Sequence, residues 1–158
     1  MHPKTYFQKS LILQKIIYFT AILIAGYQMN VKIDTKEKFT VITVDEAEIS
    51  ANMTEELQKM MLSYLSADIP HLILNLNRVA SIDETAAGML AAVHQEFYAN
   101  NASFIVCELQ KKVAGQLEQF EMLDALNITP TESEGWDIVQ MEEIEREFLR
   151  DFDEPAGG

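Results

Sequence analysis

In several short runs of this chain, apolar and polar residues alternate with a period of two. In the segments between these runs, apolar residues recur at helical spacing. The first two runs, residues 29–35 (MNVKIDT) and 39–45 (FTVITVD), flank a polar turn at residues 36–38. This arrangement is typical of a β-hairpin. In the second strand, Val41 is expected on one face of the sheet and Ile42 on the other.

Strands and helices alternate over the rest of the chain. Further strands are predicted at residues 71–77 (HLILNLN), 103–109 (SFIVCEL) and 127–131, and the first is apolar enough to be covered on both faces. Four helices are predicted, the last beginning at Gly135–Trp136. Their apolar stripes at helical spacing are Leu57, Met60, Met61, Tyr64 and Leu65; Ala86, Leu90, Val93 and Phe97; Val113, Leu117 and Phe120; and Ile138, Met141, Ile144, Phe148 and Leu149.

This order of elements predicts an α/β fold. An opening hairpin followed by alternating strands and helices gives a mixed β-sheet of about five strands, packed by about four helices. A length of 158 residues suits one such domain, and a hydrophobic fraction of 48% argues against disorder of the whole chain.

Charge divides the chain into unequal parts. Residues 1–28 hold Lys4, Lys9 and Lys15 and no acidic residue, whereas the whole chain has a net charge of -13, so residues 29–158 carry -16. We therefore place a basic, apolar extension at residues 1–28, the folded domain at 29–150 and a flexible acidic tail at 151–158.

Three interpretations of residues 1–28 stay open. Residues 16–27 carry no charge, but this run is shorter than the roughly 20 residues of a membrane-spanning helix. The segment is compatible with a membrane-associating region, with a signal peptide that lacks a clear Ala-x-Ala cleavage site, or with translation from a start codon upstream of a natural start at Met29.

Composition excludes several classes of function. A net charge of -13 argues against a general nucleic-acid binder, since phosphate contacts need clustered cations. Cys107 is the only cysteine, which excludes an internal disulfide and indicates a reducing compartment, the cytoplasm. There is no phosphate-binding glycine loop, HExxH or CxxC motif. No catalytic residue, metal ligand or cofactor is therefore predicted, and a hydrolase using Ser81 or Thr85 lacks a histidine base.

One segment, residues 72–90 (LILNLNRVASIDETAAGML), combines features of a binding site. A buried strand leads through a polar loop to a helix whose first turn holds Asp83, Glu84 and Thr85. Free N–H groups at a helix start stabilise a nearby negative charge, including a phosphate on a hydroxyl. A purely structural interpretation is also open, because Ser81-x-x-Glu84 matches a capping box.

The same segment resembles the signature of the STAS domain, the anti-sigma factor antagonist family. The resemblance lies in the strand LILNLN, the spacer RVAS and the run IDETAAGML, and the order of elements from Met29 to Arg150 agrees with it. It implies a STAS-like fold and a non-enzymatic role. Unphosphorylated members of the family bind an anti-sigma factor that is also a serine/threonine kinase and thereby free a sigma factor, and phosphorylation blocks this binding.

The resemblance assigns roles residue by residue. Asp83 takes the position of the family's aspartate, Glu84 that of the first serine, Thr85 that of the second serine and phosphoacceptor, and Ala86 that of the glycine. The partner-binding residues implied are Ser81, Asp83, Glu84, Thr85, Ala86 and Gly88. Glu84 cannot be phosphorylated and imitates a permanent charge, so an alternative stays open: a STAS scaffold or accessory subunit, as in stressosomes or membrane transporters, without a phosphoswitch. The sequence predicts no oligomeric state.

Overall fold

The structure is a computed structural model that describes residues 12–17, which are helical, and residues 29–153. The rest of the 1–28 extension and residues 154–158 of the predicted tail lie outside the described residues. None of the helices in the described ranges combines the length and apolar character needed to cross a membrane.

The main sheet has five strands, which confirms the predicted mixed sheet. They are β1 (Val31–Thr35), β2 (Thr40–Val44), β4 (Leu72–Asn75), β6 (Phe104–Cys107) and β7 (Asn127–Thr129), in the order β1-β2-β4-β6-β7. β1 is antiparallel to β2, and the other neighbours are parallel. Two further strands, β3 (Glu48–Ile49) and β5 (Ser81–Ile82), pair in parallel as a separate small sheet that was not predicted.

Four helices pack on this sheet. They are α1 (Ala51–Leu62), α2 (Glu84–Ala99), α3 (Lys111–Gln119) and α4 (Glu132–Asp153), with 3-10 turns at Ser63–Ser66 and Leu123–Ala125. The predicted start of α4 at Gly135–Trp136 is wrong, because the Thr131 hydroxyl accepts the N–H of Glu134 at 3.1 Å and caps the helix earlier. The helix also includes residues 151–153, the first three residues of the tail that the sequence predicts.

The two faces of the sheet are covered unequally. One apolar cluster joins Ile42, Leu74 and Val106 of the sheet to the buried residues of α1, α2 and α3. The opposite cluster is small and includes Val41 and, from α4, Val139. Val41 and Ile42 thus point to opposite faces, as predicted. At Gly135 an added Cβ would lie 3.3 Å from the Ile73 side chain, so glycine lets α4 approach the sheet closely.

α4 runs from the carboxyl ends of the parallel strands to their amino ends and then beyond them. Glu143 accepts a hydrogen bond from His71 at 2.7 Å, and Arg146 donates to the hydroxyl of Ser103 at 2.9 Å. Because His71 and Ser103 directly precede β4 and β6, residues 143–146 lie at the amino edge of the sheet. The seven residues that follow add about 10 Å of helix with no sheet beneath them.

Candidate functional site

The starts of α1 and α2 lie side by side at the carboxyl edge of the sheet. α1 follows β2 through the short strand β3, and α2 follows β4 through β5. Pairing of β3 with β5 brings the two chain segments together just before their helices begin. Each helix start presents N–H groups without an intrahelical acceptor, so this corner concentrates partial positive charge.

A single carboxylate, that of Asp83, caps both helices. Asp83 is the N-cap of α2, with φ -90° and ψ 171°, and its Oδ1 accepts the N–H of Ala86 at 2.8 Å. Its Oδ2 accepts the N–H of Ala51, the first residue of α1, at 2.7 Å. The predicted capping box is therefore wrong: Ser81 lies in β5, and Asp83 rather than Ser81 caps the helix.

α3 holds the loop that leads to Asp83. The side-chain oxygen of Gln116 accepts the N–H of Ile82 at 2.9 Å, and the side chain of Gln110 donates to the carbonyl of Asn77 at 2.9 Å. Val79 and Ile82 are buried beneath this loop. The backbone before α2 is thus fixed by hydrogen bonds on one side and by apolar packing on the other.

The structure places five of the six predicted contact residues at or near the surface. Glu84 and Thr85 are exposed, and Ser81, Asp83 and Gly88 are half-buried. We call these five residues the α2-start surface. Ala86, the sixth, is fully buried and supports this surface from below. Ala86 is not among the described residues with positive φ, so alanine in the family's glycine position introduces no backbone strain here.

Two exposed lysines begin α3, the helix that holds the loop before Asp83, and the sequence analysis does not single them out. Lys111 and Lys112 are exposed, and they open α3, which has no acidic residue in its first turn. Among the described residues no salt bridge involves either of them. Cations at a helix N-terminus oppose the helix dipole, which costs about 0.3–1 kcal/mol each. The signal was present in the sequence, as two adjacent lysines where a helix was predicted to begin.

A polar cleft of about 520 Å³ lies at the same edge, beside the start of α4. At its floor the buried amide of Asn75 donates to the carboxylates of Glu108 and, at 2.8 Å, of Glu132. Within the described ranges, no three histidine, cysteine or carboxylate side chains converge to hold a metal ion.

Cys107 is buried, and burial raises the pKa of its thiol to about 12, which leaves it unreactive.

Fold and site together define a class: a small α/β domain that begins with a hairpin and has two adjacent helix starts capped by one aspartate. The family model of the STAS domain matches residues 30–135. The chain belongs to the STAS domain family. A search of the curated proteins finds no match.

Solved structures with the same fold include two anti-sigma factor antagonists. One is a protein from Mycobacterium paratuberculosis, with 15% sequence identity and a TM-score of 0.62, where the match covers 72% of this chain and 95% of the other. Another is SpoIIAA in its unphosphorylated form, with 17% identity and a TM-score of 0.57 over 70% of this chain and 96% of the other.

The fold also matches part of a transporter, the murine anion transporter Slc26a9. Identity is 11% and the TM-score 0.60, and the match covers 83% of this chain but 25% of that chain. At these identities the likeness shows a shared fold. The resemblance drawn from residues 72–90 is thus confirmed at the level of family and fold.

Proposed function

We propose that this protein is a non-enzymatic regulatory binding module of the cytoplasm, an anti-sigma factor antagonist. Its partner is an anti-sigma factor with serine/threonine kinase activity, and binding of that partner frees a sigma factor. The observation that carries the proposal is the exposure of Thr85 in the first turn of α2, at a helix start that Asp83 fixes, within a STAS fold.

The α2-start surface suits protein recognition rather than catalysis. Asp83 already uses its two oxygens on backbone N–H groups, so it is a positioning residue and not a free base. Glu84 and Thr85 project from a backbone that is held by Asp83 and by Gln116. A preorganised surface of this kind binds a partner without first ordering a loop, which lowers the entropic cost of binding.

Thr85 is the proposed phosphoacceptor. A phosphate adds about -1.5 to -2 charges at pH 7 and would stand beside Glu84 on an already acidic domain. The N–H groups at the start of α2 tolerate that charge on the free protein. In an interface, the same phosphate must lose its water and face the partner's surface, and this opposes binding.

The test is a binding titration of the full chain with each purified anti-sigma kinase encoded in the source genome. Thr85→Asp is expected to weaken binding by about tenfold or more, because a fixed charge replaces the hydroxyl at the contact. Thr35→Asp is the matched control, since Thr35 is exposed on the edge strand β1, away from α2, and receives the same charge. Thr35→Asp is expected to bind within about twofold of the wild type.

Incubation with labelled ATP and the same kinases then tests the acceptor. Label is expected in the wild type and not in Thr85→Val, which keeps the shape of the side chain without the hydroxyl. Equal binding by Thr85→Asp and the wild type would overturn the switch at this residue. Failure of every kinase to bind the wild-type chain would overturn the antagonist function itself.

A second candidate function is supported by Glu84. This exposed carboxylate occupies the position next to Thr85 and supplies a permanent charge, which suits a STAS scaffold or accessory subunit without a phosphoswitch. The shared fold of the transporter domain is compatible with such a role. Binding of a kinase without any uptake of label would favour this alternative.

A further inference from the structure

Two described regions lie outside the residues that match the STAS family model. One is the helix at residues 12–17, and the other is the part of α4 that follows residue 135. Both expose large apolar side chains to solvent. Large exposed apolar patches on small domains mark surfaces that are covered in the working state of the protein.

The exposed side of α4 is a continuous stripe. Met141, Ile144, Phe148 and Phe152 follow one another at steps of three, four and four residues, so they share one helix face. Their exposed fractions run from 57% to 72%. We call these four residues the α4 stripe. The rings of Phe148 and Phe152 contact each other edge to face at 4.9 Å, which makes the end of the stripe one apolar surface.

The helix at residues 12–17 has the complementary character. Ile12, Leu13 and Ile17 expose 56%, 57% and 64% of their surface, and Lys15 stands among them. A short helix of this composition gains little stability in isolation, so burying its apolar side against a partner surface is favourable.

Charge selects this helix over a second copy of α4 as the occupant of the stripe. Residues 141–153 hold six acidic side chains and two arginines, for a net charge of -4, whereas residues 1–28 hold three lysines and no acid. Two α4 helices packed together would each carry a net charge of -4 and would repel each other. Residues 1–28 carry a net charge of +3, so their electrostatic interaction with α4 favours docking.

The chain between the two regions is long enough. β1 begins at the carboxyl edge of the sheet, where Asn30 accepts the N–H of Asp45 at 2.8 Å. From there to Phe148, three strand spacings across, one strand length along and one helix layer down, taken at right angles, give a straight-line distance of about 25 Å. Residues 18–28 are eleven residues, which can span about 36–40 Å.

We propose that the segment around helix 12–17 docks on the α4 stripe of its own chain. The apolar side chains Ile12, Leu13 and Ile17 cover Phe148 and its neighbours, and Lys15 faces the acidic residues that flank the stripe. This contact lies at the amino edge of the sheet, so it leaves the α2-start surface at the carboxyl edge open. It is independent of the proposed antagonist function.

Cysteine cross-linking of the full chain tests this contact. Leu13→Cys combined with Phe148→Cys is treated with a short bismaleimide, and products are separated by intact mass and denaturing electrophoresis. The native Cys107 does not compete, because it is buried and its pKa is raised to about 12. The expected product is a cross-linked monomer, and adding Lys15→Glu is expected to lower its yield several-fold.

Leu13→Cys with Ile33→Cys is the matched control. Ile33 is an apolar residue of β1 with 48% exposure and lies closer along the chain to Leu13, so random encounters favour it over Phe148. A yield with Phe148→Cys no greater than that with Ile33→Cys would overturn the proposal. Cross-linked dimers in place of cross-linked monomer would overturn docking within one chain and assign the stripe to a second copy.

Amide hydrogen exchange supplies a readout that needs no cysteine. Residues 144–152 are expected to exchange more slowly in the wild type than in the Lys9→Glu/Lys15→Glu variant, since docking protects the overhanging helix. Identical exchange in the two chains would contradict docking.

Discussion

The start of α2 and the end of α4 show two ways in which one small domain treats a helix. At the start of α2, side chains hold the backbone: Asp83 caps two helices, and Gln116 accepts a hydrogen bond from the preceding strand. At the end of α4, the helix runs past the sheet, and Phe148 and Phe152 face solvent. The first region has a backbone fixed by hydrogen bonds and polar residues at its surface. The second is a helix end beyond the sheet with apolar residues at its surface.

The contrast follows from how many elements surround each helix. α2 packs against α1 on one side and against the sheet on the other, within the large apolar cluster. α4 alone covers the opposite face, and its buried contact is limited to Val139 and the residues near it. A helix that packs on the sheet through one face keeps its outward apolar stripe exposed until another segment covers it, so the exposure at α4 and the burial at α2 have one structural cause.

Two phenylalanines give the largest expected difference between these regions. Phe97, near the end of α2, is fully buried and packs against the ring of Phe104, with centroids 5.5 Å apart. Phe97→Ala is expected to lower the free energy of unfolding by about 3–5 kcal/mol, because it leaves a cavity in the core. Phe148, which is 61% exposed on the domain, is the matched residue. Phe148→Ala leaves no cavity in the core and removes at most the contact with the proposed docking segment, so a cost of about 1 kcal/mol or less is expected.

Urea denaturation followed by circular dichroism measures both values. If Phe97→Ala does not fold, Phe97→Leu replaces it and is expected to cost more than Phe148→Leu. Equal losses at the two positions would show that the end of α4 is as well packed as α2, and would remove the basis of the comparison.

Asp83 gives the next largest effect. Asp83→Ala removes one cap from each of two helices, so a loss of about 2 kcal/mol is expected, at about 1 kcal/mol for each cap. Asp83→Ser keeps a hydroxyl that caps α2 but is too short to reach α1 as well, and about half of the loss is expected. Chemical denaturation checks both. Equal stability of the serine and alanine variants would contradict the double cap.

The sequence was sufficient to predict the strands of the main sheet and the buried side of most helices, because alternation and helical spacing are local patterns. It failed at α4: Met141, Ile144, Phe148 and Leu149 have the spacing of a core stripe but are exposed. Periodicity indicates that a face is apolar, and whether another element covers that face depends on the fold.

The candidate site was predictable in part for a similar reason. The motif located Asp83, Glu84 and Thr85 at a helix start, and the structure agrees. The bond from Asp83 to Ala51 joins residues 32 positions apart, and no local pattern indicates it. A capping motif considers one helix alone, and here it points to Ser81 as the N-cap. The side chain that reaches both helices is decided by the pairing of β3 with β5, which lies outside any local pattern.

The smallest expected effect concerns one of the two hydrogen bonds that attach α4 to the amino edge of the sheet. His71 is buried at the start of β4; its Nδ1 accepts the N–H of Ser103 at 3.1 Å, and its Nε2 donates to Glu143 at 2.7 Å. Burial lowers the pKa of His71, and the nearby Glu143 opposes this only in part. The folded protein therefore holds the neutral imidazole. Below pH about 6.5, the unfolded chain binds a proton that the folded chain does not, so stability from this group is lost as pH falls.

The stability difference between the wild type and His71→Gln isolates this contribution. Burial raises the pKa of Glu142, which gives a pH dependence of opposite sign, but that dependence is present in both chains and cancels in the difference. The advantage of the wild type is expected to be largest above pH about 7 and to shrink toward pH 5, as measured by urea denaturation at each pH. An advantage that grows as pH falls would mean that the pairing of a protonated His71 with Glu143 outweighs burial. In that case α4 is held at the amino edge by an ion pair, and its attachment there is stronger than a neutral hydrogen bond provides.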